Sequence, residues 1–146
     1  MTSSLILHIA TCTIGYGLFA CAFLIACVYI HQDRTIKTKK VKLNGQFSWS
    51  LQELDNYLFV ALILGLVFLS IGIATGTLAH KQQYGIVDYT SIRLIIPTII
   101  WLFYLLILCF RYLTGLRGKA TAYLAAYGFN CVAFSFIVEM ILTKNL

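Results

Sequence analysis

Charged residues are scarce in this chain, and the protein classes that depend on them are excluded first. Asp, Glu, Lys and Arg make up 11% of its 146 residues, whereas apolar residues make up 60%. The mean hydropathy is +0.87. This is not the composition of a soluble domain. It predicts an integral membrane protein whose main surroundings are the lipid bilayer.

Residue patterns typical of catalysis and redox chemistry are also missing. No Ser–His–acid set, phosphate-binding loop or pair of acid–base carboxylates can be assembled, so we expect no enzymatic turnover. His8 and Cys12 lie four residues apart on one helical face, but two ligands do not make a metal site. The cysteines include no C-x-x-C pair and all lie in apolar runs, where we expect free thiols. They are Cys12, Cys21, Cys27, Cys109 and Cys131.

Apolar sequence, in contrast, is long enough to cross a membrane several times. A helix needs about 20 mostly apolar residues to span about 30 Å of hydrocarbon. The sequence predicts an all-α fold, a four-helix transmembrane bundle that forms a single domain over residues 1–146. Arg93 and Arg111 flank the short third span and can extend toward the headgroups. The predicted spans are Leu5–Ile30, Leu58–Ala79, Leu94–Phe110 and Ala120–Leu142.

Lys and Arg are unevenly divided between the connecting segments, and this division predicts the orientation. Five cations lie in a basic loop at about residues 31–49 and three at residues 111–119, eight in all, against three on the other side. Cytoplasmic loops carry the excess, so we expect the N- and C-termini to be external. Membrane edges and anionic lipid account for the basic charge, and no nucleic-acid partner is expected.

A few local motifs predict helix ends and helix contacts. Ser50–Glu53 has the S-x-x-E spacing of a capping box and predicts that the second helix begins near Ser50. Gly72 and Gly76 form a G-x-x-x-G that permits close packing, either within the bundle or against a partner chain. Asn130, in the middle of the fourth span, is expected to form an interhelical hydrogen bond. Glu139, near the outer end of that span, is expected to stay hydrated.

Three segments carry a family resemblance. "LHIATCTIGYGLFA" begins with an external histidine, and "SLQELDNYLFVALILGLVFLSIGIATGTLAHKQQYG" joins an S-L-x-x-L-D helix to a Thr-Gly pair. "WLFYLLILCFRYLTGLRGKATAYLAAYGF" joins a W-L-x-Y helix to a G-x-R-G turn. From His8 onward the chain resembles the C-terminal half of the cytochrome c assembly protein family of the CcsA and HemX type. The resemblance implies a protein of cytochrome c-type biogenesis that handles haem, in a bacterial inner membrane or an organellar membrane of bacterial origin.

The chain departs from the haem-presenting branch of that family in its external loop. That branch has a tryptophan-rich loop ending in a W-D-P-K-E-T-like run, whereas no tryptophan lies between Gly85 and Trp101 here. The histidine expected in the third span falls at Cys109, and a second external histidine would come at or beyond Leu146. The loop retains only Tyr84, Asp88 and Tyr89.

Two histidines remain as candidate haem ligands. His8 is carried over by the resemblance, and imidazole is a preferred axial ligand of haem iron. His80 is a weaker candidate on the same predicted side of the membrane. Its position beside Lys81, at a helix end, is more typical of a solvated interfacial residue.

Two functions follow from these observations. The first is a haem-handling subunit of cytochrome c maturation that acts with other membrane protein chains. The alternative is a structural accessory subunit of a larger membrane complex that has lost haem binding. We expect the chain to be shorter than its relatives by their N-terminal spans, so that a partner or self-association completes the bundle. Transport is disfavoured because the spans carry no carboxylate at the midplane.

Overall fold

The computed structural model describes residues 3–37, 49–85, 92–115 and 117–144, and these residues form four α-helices. No strand occurs in the described ranges, and the predicted all-α fold is confirmed. Three of the helices contain segments long and apolar enough to cross a membrane, namely Leu5–Lys37, Leu51–Gln82 and Leu94–Thr114. The helices are α1 (Ser3–Lys37), α2 (Leu51–Tyr84), α3 (Ile92–Thr114) and α4 (Lys119–Lys144).

Each helix extends past the apolar run that predicted it. α1 continues beyond Ile30 to Lys37, so residues 31–37 are helical and not part of the predicted basic loop. Backbone hydrogen bonds continue along a helix whether its side chains face lipid or water, so hydropathy alone gives the minimum length. Residues 38–48 of that loop lie outside the described residues. The predicted fourth span falls within α4.

The capping box at the start of α2 is confirmed. Ser50 Oγ accepts a hydrogen bond from the Glu53 backbone N–H at 3.2 Å, and Glu53 Oε2 accepts one from the Ser50 N–H at 2.8 Å. These two bonds satisfy amides that have no partner within the helix. α2 therefore begins before the predicted span at Leu58.

The four helices surround a core that depends on aromatic stacking. α1 packs against α2 and α4, and α3 packs against α2 and α4. Phe19 of α1 is fully buried and stacks on Tyr104 of α3, with ring centroids 3.9 Å apart. Phe23 of α1 stacks in the same way on Phe129 of α4, at 4.9 Å. These ring pairs connect helices that are distant in sequence.

Close approach of α1 and α2 depends on glycine. A β-carbon on Gly65 would lie 2.7 Å from the Phe19 ring, and one on Gly15 would lie 3.2 Å from the Leu69 backbone nitrogen. The distance at Gly65 is shorter than van der Waals contact allows, and the distance at Gly15 is tighter than ordinary contact. The two antiparallel helices are therefore packed with the Gly15 backbone against the α2 backbone and the Gly65 backbone against the Phe19 ring.

The ends of the bundle differ in charge, and we name them accordingly. The basic end comprises the end of α1, the start of α2 and the α3–α4 turn, where Arg34, Lys37, Arg117 and Lys119 lie. The His8 end comprises the start of α1 and the end of α2. The charge asymmetry predicts that the basic end is cytoplasmic.

A cysteine reporter tests this orientation. We expect a Lys39→Cys variant to resist membrane-impermeant maleimide in intact cells and to react in inverted membrane vesicles. An Asp88→Cys variant should show the opposite pattern, and the unsubstituted chain gives the background from native thiols. Labelling of Lys39→Cys from outside would show that the predicted orientation is reversed.

Candidate functional site

His8 lies in the second turn of α1, where its half-buried imidazole contacts α2. Nδ1 is 2.8 Å from the carbonyl oxygen of Gly72, a distance at which Nδ1–H donates a hydrogen bond. The Cys12 sulfur lies 3.6 Å from the same nitrogen. The imidazole is thus held by the backbone of the neighbouring helix.

Gly72 and Gly76 provide the space for these α1 side chains. A β-carbon on Gly76 would lie 2.7 Å from His8 Cε1, and one on Gly72 would lie 2.6 Å from the Cys12 sulfur. A larger residue at either position would force these α1 side chains, or the two helices, to shift. In the structure, the G-x-x-x-G therefore lies at the α1–α2 contact, with its second glycine beside the imidazole.

The hydrogen bond from His8 determines what the other ring nitrogen can do. With the proton on Nδ1, Nε2 carries the lone pair that binds a metal. Histidines that bind metals commonly donate their other N–H to a backbone carbonyl or a carboxylate. His8 therefore fits, in its chemistry, the role of an axial haem ligand.

His80 lies on α2 toward the same end of the bundle. It is four residues beyond Gly76, about one helical turn, and its side chain is half-buried. Asp88 and Tyr89 of the loop predicted to be external, and the side chain of Tyr84, lie outside the described residues. Within the described parts of the chain, no group of three or more His, Cys, Asp or Glu side chains is placed to hold a metal ion.

A second polar cluster lies at the basic end, and sequence analysis did not predict it. The Arg111 guanidinium donates to both carboxylate oxygens of Asp55, from Nη1 at 2.8 Å and from Nη2 at 2.7 Å. Their side chains are only 8% and 4% exposed, respectively. Arg111 Nη1 also lies 3.3 Å from the hydroxyl of Thr121 on α4. The predicted extension of Arg111 toward the headgroups is therefore wrong, because its charge is paired inside the bundle.

The G-x-R-G turn completes this cluster. The Gly118 backbone N–H donates to Asp55 Oδ1 at 2.8 Å. Gly115 and Gly118 have φ angles of 65° and 73°, a region that favours glycine. A β-carbon on Gly118 would also collide with the Tyr29 hydroxyl. The turn thus brings the Gly118 amide to Asp55. A residue with a side chain at position 118 could not approach as closely.

The buried ion pair holds three helices together at one point. Asp55 belongs to α2, Arg111 to α3 and Thr121 to α4, and the Phe59 ring lies 4.6 Å from the guanidinium carbon. Charged groups at membrane depth usually pair with one another. Asp55 and Arg111 lie at the same predicted membrane boundary. This shared position is the feature of the sequence that could have predicted the ion pair.

The polar residues of the remaining spans have other partners than expected. Asn130 donates to the carbonyl of Ala126, one turn earlier on α4, at 2.9 Å, and not to another helix as predicted. Its side chain is exposed on the bundle surface, where the nearest acceptor is on its own helix. An interhelical bond occurs instead between Trp101 Nε1 and Ser70 Oγ, at 2.7 Å. The Glu139 side chain lies outside the described residues.

The five cysteines are all placed on described helices as free thiols. Cys12 is half-buried beside His8, and the other four are exposed on the bundle surface. The expectation that they form no disulfide stays a prediction.

Membrane-length helices, a buried ion pair at one end and an oriented imidazole at the other define an α-helical integral membrane protein. A family model described as "Cytochrome C assembly protein" matches residues 2–144, and the chain belongs to this family, as the resemblance predicted. It is 31% identical, over 112 residues, to the cytochrome c biogenesis protein CcsA of Marchantia polymorpha. The match covers 75% of this chain and 35% of that protein, so the chain spans about a third of its relative's length. No solved structure matches the chain significantly.

Proposed function

We propose that this chain is a haem-handling membrane subunit of cytochrome c maturation, that it acts with other membrane chains, and that it catalyses no reaction itself. Membership of the cytochrome c assembly family supports the general role. The observation that carries the proposal is the His8 imidazole, whose Nδ1–H donates to the Gly72 carbonyl at 2.8 Å and whose Nε2 therefore keeps a lone pair for a metal. Haem would supply an iron centre that this nitrogen could ligate.

The neighbouring residues act by positioning His8. The Gly72 carbonyl selects the tautomer and fixes the plane of the ring, and Gly76 leaves room for the ring edge. Thr11 bonds to its own helix, with its hydroxyl 2.8 Å from the Leu7 carbonyl, and does not compete for the imidazole. His80 is the second candidate ligand at this end of the bundle.

The accessory-subunit function remains the second proposal, and a specific observation favours it. His8 and Cys12 fill the spaces left by Gly76 and Gly72, so the same contacts are explained by helix packing alone. In that case His8 stabilises the α1–α2 pair, and the chain supports a larger complex without binding haem.

Absorption spectroscopy separates these proposals. We expect the purified protein, with its native partners, to show the reduced-minus-oxidised spectrum of a b-type haem. His8→Ala should abolish or shift that spectrum while the complex remains assembled, because one axial nitrogen is lost. His31→Ala is the matched control, since His31 is exposed at the basic end of α1. A stable complex without haem, or a spectrum unchanged by His8→Ala, would favour the accessory function.

A further inference from the structure

A cleft of about 720 Å³ opens between α2 and α3 at the basic end. Its walls are apolar, with Phe59 and Ile63 from α2 and Leu108 from α3. Its lining also includes the polar side chains of Asn56, Arg111 and Arg117. An apolar cleft with arginine in its lining suits a ligand with an apolar part and an anionic head.

The two arginines are not equivalent. Arg111 is occupied by both carboxylate oxygens of Asp55 and is buried. Arg117 is exposed, and no described acidic side chain forms an ion pair with it. The bond from the Gly118 amide to Asp55 holds the turn beside the cleft. The cleft therefore has one guanidinium that remains available to a ligand.

The next cation in the turn has a different environment. Lys119 Nζ lies 5.6 Å from the Tyr123 ring centroid and 3.9 Å from Asp33 Oδ2. It does not line the cleft. Lys119 is thus a matched comparison for Arg117, with the same charge and nearly the same position in the sequence.

We propose that this cleft binds one anionic phospholipid from the leaflet at the basic end. Arg117 bonds to the headgroup phosphate, whose negative charge no choline cation offsets in an anionic lipid, and an acyl chain lies along Phe59, Ile63 and Leu108. Basic pockets between membrane helices are typical binding sites for anionic headgroups. The apolar lining of the cleft favours a lipid over a free phosphate ion. This inference is independent of haem binding.

Native mass spectrometry tests the headgroup contact. The full chain would be reconstituted in nanodiscs containing equal amounts of phosphatidylglycerol and phosphatidylcholine, released into mild detergent and measured for retained lipid. We expect the protein to retain phosphatidylglycerol in preference to phosphatidylcholine. Arg117→Gln should reduce the retained phosphatidylglycerol about fivefold, since one cation near the membrane surface raises the affinity for an anionic lipid by about that factor. Lys119→Gln should retain lipid as the unsubstituted chain does. Equal retention by the two variants, or no preference between the lipids, would overturn the proposal.

A second variant tests the acyl-chain contact. Ile63→Trp should fill the cleft and reduce retention of phosphatidylglycerol, whereas Ile71→Trp, at another exposed position of α2, should not. Circular dichroism should show equal helicity for all four variants. Unchanged retention in Ile63→Trp, or displacement of the lipid by soluble glycerol phosphate, would show that the cleft does not hold a phospholipid.

Discussion

Replacing Asp55 with Asn is expected to lower the free energy of unfolding by about 3–5 kcal/mol, because Arg111 would keep its buried charge without a carboxylate. Both partners are nearly excluded from solvent, and the pair is bidentate. Denaturant unfolding in detergent micelles measures the change. Asp33→Asn is the control, since Asp33 pairs with an exposed Lys37 and should contribute about 1 kcal/mol or less.

A double variant isolates the ion pair from the shape of the site. Asp55→Asn combined with Arg111→Met removes both charges, and it should recover much of the stability that Asp55→Asn loses. The Gly118 amide can still donate to the Asn side-chain oxygen. If Asp55→Asn and Asp33→Asn had equal effects, the buried pair would not stabilise the bundle as argued.

Replacing both Gly72 and Gly76 with Leu is expected to separate α1 from α2 at the His8 end. Each new side chain would occupy the space of Cys12 or His8, and overpacking of this kind costs about 1–3 kcal/mol per site. Partner association should fail as well, because a displaced α1 changes the surface that the bundle offers to a partner. Unfolding midpoints and purification with native partners measure the two effects.

Gly17→Leu is the matched control for this experiment. Gly17 also lies within a packed helix, but a β-carbon there would meet nothing within 4 Å. The same substitution should therefore leave the stability unchanged or raise it slightly, since leucine has the higher helix propensity. Equal losses from Gly17→Leu and from Gly72→Leu with Gly76→Leu would contradict the packing argument.

The helices could be predicted from the sequence because a bilayer imposes a minimum length on apolar runs. The start of α2 could be predicted because a capping box involves only neighbouring residues. Asp55 and Arg111 are 56 positions apart, and their contact depends on how α2 and α3 are aligned, which no local pattern contains. Hydropathy therefore placed Arg111 at a membrane edge but could not identify its partner.

In the candidate site, too, the single residues could be predicted from the sequence but their contact could not. The resemblance singled out His8, and the G-x-x-x-G singled out Gly72 and Gly76, but nothing in the sequence connected them. His8 and Gly72 are 64 positions apart in the sequence, and their contact depends on the antiparallel alignment of α1 and α2. For Asn130 the sequence predicted a bond to another helix, and that prediction was wrong. Its side-chain amide donates to the Ala126 carbonyl on its own helix.

The partners of Asp55 also bear on how the chain enters the membrane during synthesis. Arg111 and Gly118 both follow α2 in the chain, so the carboxylate emerges from the ribosome before either. Arg111 follows Asp55 by 56 positions. At a synthesis rate of about 5–20 residues per second, Asp55 is without its cation for several seconds. We expect α2 to stay shallow, or its carboxyl to stay protonated, until α3 follows. We therefore expect the α1–α2 pair to reach its final depth only when α3 and α4 are inserted.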